Sequence, residues 1–156
     1  PAVPTRIQSA LTKALAIISC GRDPLADAYQ ADSKGRFDSL NEYERAIMLS
    51  HAYDGQVRNG HVFQFLSNTT GERALETCRA LGMIGDQFGL QLLQSGIDTA
   101  MSEVEAETPH QAVRTVQDSQ RRMWEMQLDD IYSQYCSQED VSLRIFRFVL
   151  ENSGRF

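Results

Sequence analysis

At 156 residues, with 42% apolar and 23% charged side chains, the chain has the size and balance of one globular domain, expected to occupy residues 1–156. No apolar run approaches the roughly 18 residues of a membrane span, and Pro1-Ala2-Val3-Pro4-Thr5-Arg6 lacks the basic and apolar regions of a secretory signal, so a cytoplasmic location is expected. The formal net charge of −6 opposes direct nucleic-acid binding, which needs clustered Lys and Arg, and Arg121-Arg122 is the one basic doublet.

Helical spacing begins at Thr5 and runs to Ser19 through Ile7, Ala10 or Leu11, Ala14 or Leu15, and Ile18, with Cys20-Gly21 as its stop. Asp23-Pro24 is an N-cap followed by proline at the first helical position, which predicts a short helix ending near Lys34-Gly35. Asp38 or Ser39 is expected to open a longer helix to about Arg58, with Asn59-Gly60 as its C-cap and a positive φ at one of the two. Val62, Phe63, Phe65 and Leu66 then form a short apolar segment before Ser67-Asn68-Thr69-Thr70-Gly71, with Thr69 or Thr70 capping a helix that runs to Gly85.

Asp86 opens the cleanest amphipathic stretch, through Leu92, Leu93, Gly96, Ile97, Ala100 and Val104. Thr108-Pro109 ends it and starts a helix expected to continue through Val113, Val116 and Met123 to Leu128. A short helix from Ile131 to Cys136 precedes a last one from Val141 to Leu150, apolar on most sides and so expected at the centre of the core. No window alternates with period two, so the expected fold is all-α, a bundle of about seven to nine short helices.

Sites of chemistry are sparse. Cys20, Cys78 and Cys136 form no CxxC pair and read as reduced thiols, Cys78 as a small core residue. His51, His61 and His110 have no metal-ligand spacing, and phosphate-loop, dinucleotide and nucleophile-elbow motifs are missing. No metal, cofactor or catalytic residue is expected. The densest feature runs from Gln56 to Gly71, where amides alternate with aromatics: Gln56, Asn59, Gln64 and Asn68 could line a polar pocket, or tie up backbone groups at helix ends while Phe63 and Phe65 pack inward.

In this stretch Asn59-Gly60, Phe63-Gln64-Phe65, Asn68 and Gly71 resemble the recurrent core of the DNA-mimic protein 19-like family, small all-helical bacterial proteins mostly of unknown function. The similarity continues through Leu81-Gly82-Met83-Ile84-Gly85 and Leu128-Asp129-Asp130-Ile131-Tyr132, covering roughly residues 38–150. Family members often have a second glycine where His61 stands, and a polar amide where Arg58 stands. The resemblance implies an all-helical fold and, through the member that names the family, a dimeric mimic of duplex DNA that occupies a DNA-binding protein.

A mimic must present carboxylates where phosphates are expected, and a net charge of −6 equals only about 10 Å of duplex at one charge per ~1.7 Å. Local clustering compensates: Gly96–Val113 holds Asp98, Glu103, Glu105 and Glu107 without a base, and Met123–Leu143 holds Glu125, Asp129, Asp130, Glu139 and Asp140 without one. These nine are expected to form an acidic face, extended by homodimerisation, that binds a basic protein such as a transcription regulator. The alternatives are a small-ligand binder or uncharacterised enzyme using Asn59–Asn68, and an immunity or antitoxin-like protein.

Overall fold

The computed structural model describes residues 4–19 and 37–156. Among the described residues there are eight α-helices and no strand: α1 Thr5–Ser19, α2 Glu42–Ser67, α3 Ala74–Met83, α4 Gln87–Glu103, α5 Pro109–Thr115, α6 Asp118–Gln127, α7 Asp129–Ser137 and α8 Val141–Glu151. The all-α expectation holds. The short helix expected from Asp23 to Lys34 lies outside the described residues.

α2 organises the molecule. Its start is set by a capping box: the Asn41 side chain accepts from the N–H groups of Tyr43 and Glu44, and the Glu44 carboxylate accepts from the Asn41 N–H. The helix therefore opens at Glu42, not at the expected Asp38 or Ser39. Ala46, Ile47, Met48, Leu49 and Ser50 are buried consecutively, so α2 is covered on every side over this stretch and has no single apolar stripe there. Glu44, itself buried, faces Lys13 of α1 in an ion pair.

Two apolar groups share this helix. The first joins Ala10 and Ala14 of α1, Phe37, Ile47 and Leu49 of α2, Ala80, and Ile145, Phe148 and Val149 of α8. The second joins Tyr53, Val57, Phe63, Phe65 and Leu66 of α2 to Leu81, Leu92, Val113, Trp124 and Tyr135. Each fully buried phenylalanine contributes about 2 kcal/mol through the apolar area removed from water.

Four expectations are corrected. Asn59-Gly60 does not end a helix: α2 continues past it through a kink in which Gly60 has φ −167° and the positive φ, 69°, falls on His61. Val116 and Gln117 are extended and split the expected Pro109–Leu128 helix into α5 and α6, so that Val116 and Trp124 both reach the second apolar group. α3 opens from a 3-10 turn, Thr69–Arg73, with Arg73 at its N-cap position. α8 is peripheral, packed on α1 and α2 with Leu143, Phe146 and Leu150 exposed at 51, 47 and 36%; these three recur at helical spacing as a second stripe opposite the buried one. The caps at Asp86, Gly85 and Thr108-Pro109 stand where expected.

The kink also changes the meaning of Gly60. Its extended φ suits any residue, but a Cβ there would overlap Gln64 Oε1 at 1.6 Å, so substitution displaces a side chain and strains no backbone. Gly71 is the tighter constraint, because a Cβ would lie 2.3 Å from the Leu66 carbonyl oxygen. Gly71→Ala is expected to cost about 1–3 kcal/mol through this overlap. Gly55→Ala, with nothing within 4 Å of the added Cβ in mid-helix, should instead stabilise by up to about 1 kcal/mol. Thermal melts of the two variants check the opposite signs.

Candidate protein-binding site

Because α2 bends at Gly60-His61, the amides on either side converge. Gln56 Oε1 accepts from Gln64 Nε2 at 3.4 Å and from Asn68 Nδ2, while the Asn68 N–H donates to the Gln64 and Phe65 carbonyls and closes the helix. His110 of α5 donates from Nδ1 to the carbonyls of Leu66 and Asn68 at 3.0 and 2.9 Å. Carbonyls only accept, so Nδ1 carries the proton, and Nε2 faces Glu72 at 4.0 Å. Asn59 stays apart, exposed and without a side-chain partner among the described residues. Gln56, Gln64 and Asn68 thus bond one another, Phe63 and Phe65 are fully buried, and Gly71 lies against Leu66.

The nine carboxylates of the base-free stretches divide by what they touch. Glu103 Oε2 accepts from the Trp124 indole N–H at 3.2 Å and from Gln120 Nε2 at 2.9 Å, tying the end of α4 to α6. Glu139 takes both terminal nitrogens of Arg147 at 2.9 and 2.8 Å. Asp140 caps α8 by accepting from the Ser142 N–H at 2.7 Å, and that bond holds its carboxyl below the usual range. Glu125 is half-buried, and desolvation raises its pKa against the opposing influence of Arg121 and Arg122.

Asp98, Glu105, Glu107, Asp129 and Asp130 remain: all are exposed and have no side-chain bond or ion pair among the described residues. Asp129 and Asp130 open α7, where a helix N-terminus favours negative charge. Glu139 and Asp140 lie beyond its other end, roughly 14 Å along the axis. The structure brings the first stretch to α6 through Glu103, and it separates the second stretch into two ends of α7.

His61, which the sequence offered only as a histidine without metal-ligand spacing, has the most unusual setting among the described residues. It is the one non-glycine residue with positive φ among the described residues, and its φ of 69° with ψ of 171° belongs to a region populated almost only by glycine, at a cost of about 1–3 kcal/mol. Its ring is 8% exposed and neither nitrogen has a hydrogen-bond partner among the described residues. The ring stacks on Phe63 at 5.7 Å and 9° and meets Tyr132 of α7 at 4.4 Å, while Phe63 touches Trp124 at 5.4 Å. Burial lowers the His61 pKa from 6.5 to about 4, with Asp129 opposing. The one sign of it in the sequence was a histidine standing where the resemblance implies glycine.

Cys78 and Cys136 pack half-buried on the second apolar group; burial pushes the Cys78 thiol up to about 11, away from nucleophilic use. Among the described residues no group of three or more His, Cys, Asp or Glu is placed to hold a metal ion, and no helix is long and apolar enough to cross a membrane.

An all-helical chain with this kinked central helix and amide cluster defines a class by fold. The sequence model of the DMP19-like protein family matches residues 38–152, and the chain belongs to that family. No curated protein and no solved structure matches it.

Two buried rings of one stack should respond differently to deletion. Phe63→Ala is expected to cost about 3–5 kcal/mol through its cavity. His61→Gly should cost under about 1 kcal/mol, because strain relief of about 1–3 kcal/mol and loss of unpartnered ring nitrogens offset the lost packing. The folded pKa of His61 lies below its unfolded value, so its contribution is intact above pH 6.5 and lost as pH falls toward about 4, at up to roughly 1.4 kcal/mol per pH unit. Urea midpoints at pH 7.5 and 5 should show a smaller acid loss for His61→Gly than for the natural chain.

Proposed function

We propose that this chain is an acidic interaction protein that occupies a basic, DNA-binding protein, as a partial mimic of duplex phosphate charge. The observation that carries the reading is the set of five unpaired, exposed carboxylates, Asp98, Glu105, Glu107, Asp129 and Asp130. Because no internal cation neutralises them, their charge is available to a partner. Glu139 is neutralised by Arg147, while Glu103 and Asp140 are held by neutral donors and keep their charge. Five charges correspond to under 10 Å of duplex at one charge per ~1.7 Å, so the mimicry is of a short phosphate run. A homodimer would double it. Family membership supports the reading through the member that names the family and does not by itself transfer the activity.

Asp129→Lys/Asp130→Lys tests the reading without disturbing a cap or an ion pair. Against a partner recovered from native extract, the double variant is expected to bind at least tenfold more weakly while keeping its helical spectrum. Binding of the natural chain should weaken steeply between 50 and 300 mM salt, since exposed charges are screened beyond about 10 Å at 0.1 M, and duplex DNA should displace it. Equal affinity of the variant, or a partner that no concentration of duplex DNA displaces, would end the mimic reading.

A further inference from the structure

We propose that His61 is an acid-operated latch between α2 and α7: its neutral ring holds α7 in place through Tyr132, and protonation expels the ring and loosens the α6–α7 end of the bundle.

Three features of the geometry carry this. The backbone at His61 is held at φ 69°, ψ 171°, a conformation that persists only while surrounding contacts enforce it. Its ring packs against Phe63 and Tyr132, and neither nitrogen has a hydrogen-bond partner among the described residues. A cationic imidazolium needs acceptors or water, and the aromatic faces of Phe63 and Tyr132 that contact it are neither. The neutral ring therefore suits the interior and the charged ring suits solvent, so proton uptake and release of backbone strain act in the same direction.

The groups around the ring favour an outward state as well. On α7 the exposed Asp129 carboxylate attracts a positive His61, and the Tyr132 hydroxyl interacts with Cys136 and feels Arg58 of α2. From α6, Trp124 reaches the stack through Phe63 and is anchored on Glu103 of α4. Asp129 is exposed and its charge acts on His61, so an expelled cation would meet a carboxylate at the surface, a second arrangement distinct from the buried one. Tyr135 remains tied to Asp54 and Tyr53, so the far end of α7 stays docked while its first turn, bearing Asp129 and Asp130, is released.

Trp124 is the only tryptophan, which makes its emission a direct reporter of the stack. Glu103→Gln provides a suitable background, because the amide oxygen still accepts from the indole and no longer titrates beside it. In that background we expect a single-proton emission change between pH 6.5 and 4, with the far-UV helical signal retained. His61→Gly should remove the change, and so should His61→Asn, which tolerates positive φ and has no titration in this range; either variant suffices if the other fails to fold. His51→Asn and His110→Asn should keep it. Persistence of the transition in the His61 variants, its absence in the parent, or loss of helical signal over the same pH range would each overturn the latch.

Discussion

Everything in this fold depends on α2 carrying both apolar groups along its length. A straight helix of 26 residues would extend about 39 Å, which would carry its second half past the group of side chains that must cover it. The bend at Gly60-His61 redirects the last two turns. Phe63, Phe65 and Leu66 then face α4, α5 and α6 while Ile47 and Leu49 face α1 and α8. Kinks of this kind have local causes: here a glycine leaves room for the Gln64 side chain, and a histidine accepts a backbone conformation that glycine would adopt without strain.

The amide cluster of Gln56, Gln64 and Asn68 follows from that bend. Gln56 lies before it and Gln64 and Asn68 after it, and their mutual hydrogen bonds close the angle that the backbone opens. His110 adds α5 to the same corner by bonding the last carbonyls of α2, groups that a helix end leaves without intrahelical partners. In this chain the amide motif is accordingly a folding device.

Electrostatics sorts the surface in a way that charge counting does not. Glu103 and Glu139 are formally as acidic as Asp129 and Asp130, yet one holds an indole N–H and the other a guanidinium. The carboxylates left to solvent are those on the exposed side of α4, on the loop before α5 and at the start of α7. The buried histidine beneath α7 connects this surface to the interior, since Tyr132 and Asp129 sit one turn apart on that helix and both act on the His61 ring.

Local interactions were legible in the sequence. The all-helical class, the Asp86 cap, the Gly85 stop and the Thr108-Pro109 start each depend on residues within three or four positions of one another, where spacing alone states the physics. Asn41 and Glu44 were equally local, but Asp38 and Ser39 offered competing caps, and only the packing of α1 and α8 on the first turn of α2 decided between them. Tertiary structure decided the rest. It carried α2 through Asn59-Gly60, broke the chain at Val116-Gln117 so that Trp124 could turn inward, and placed α8 outside. It also chose which acids are free, because Glu103 meets a tryptophan 21 positions away, and no pattern along one helix records a contact between two.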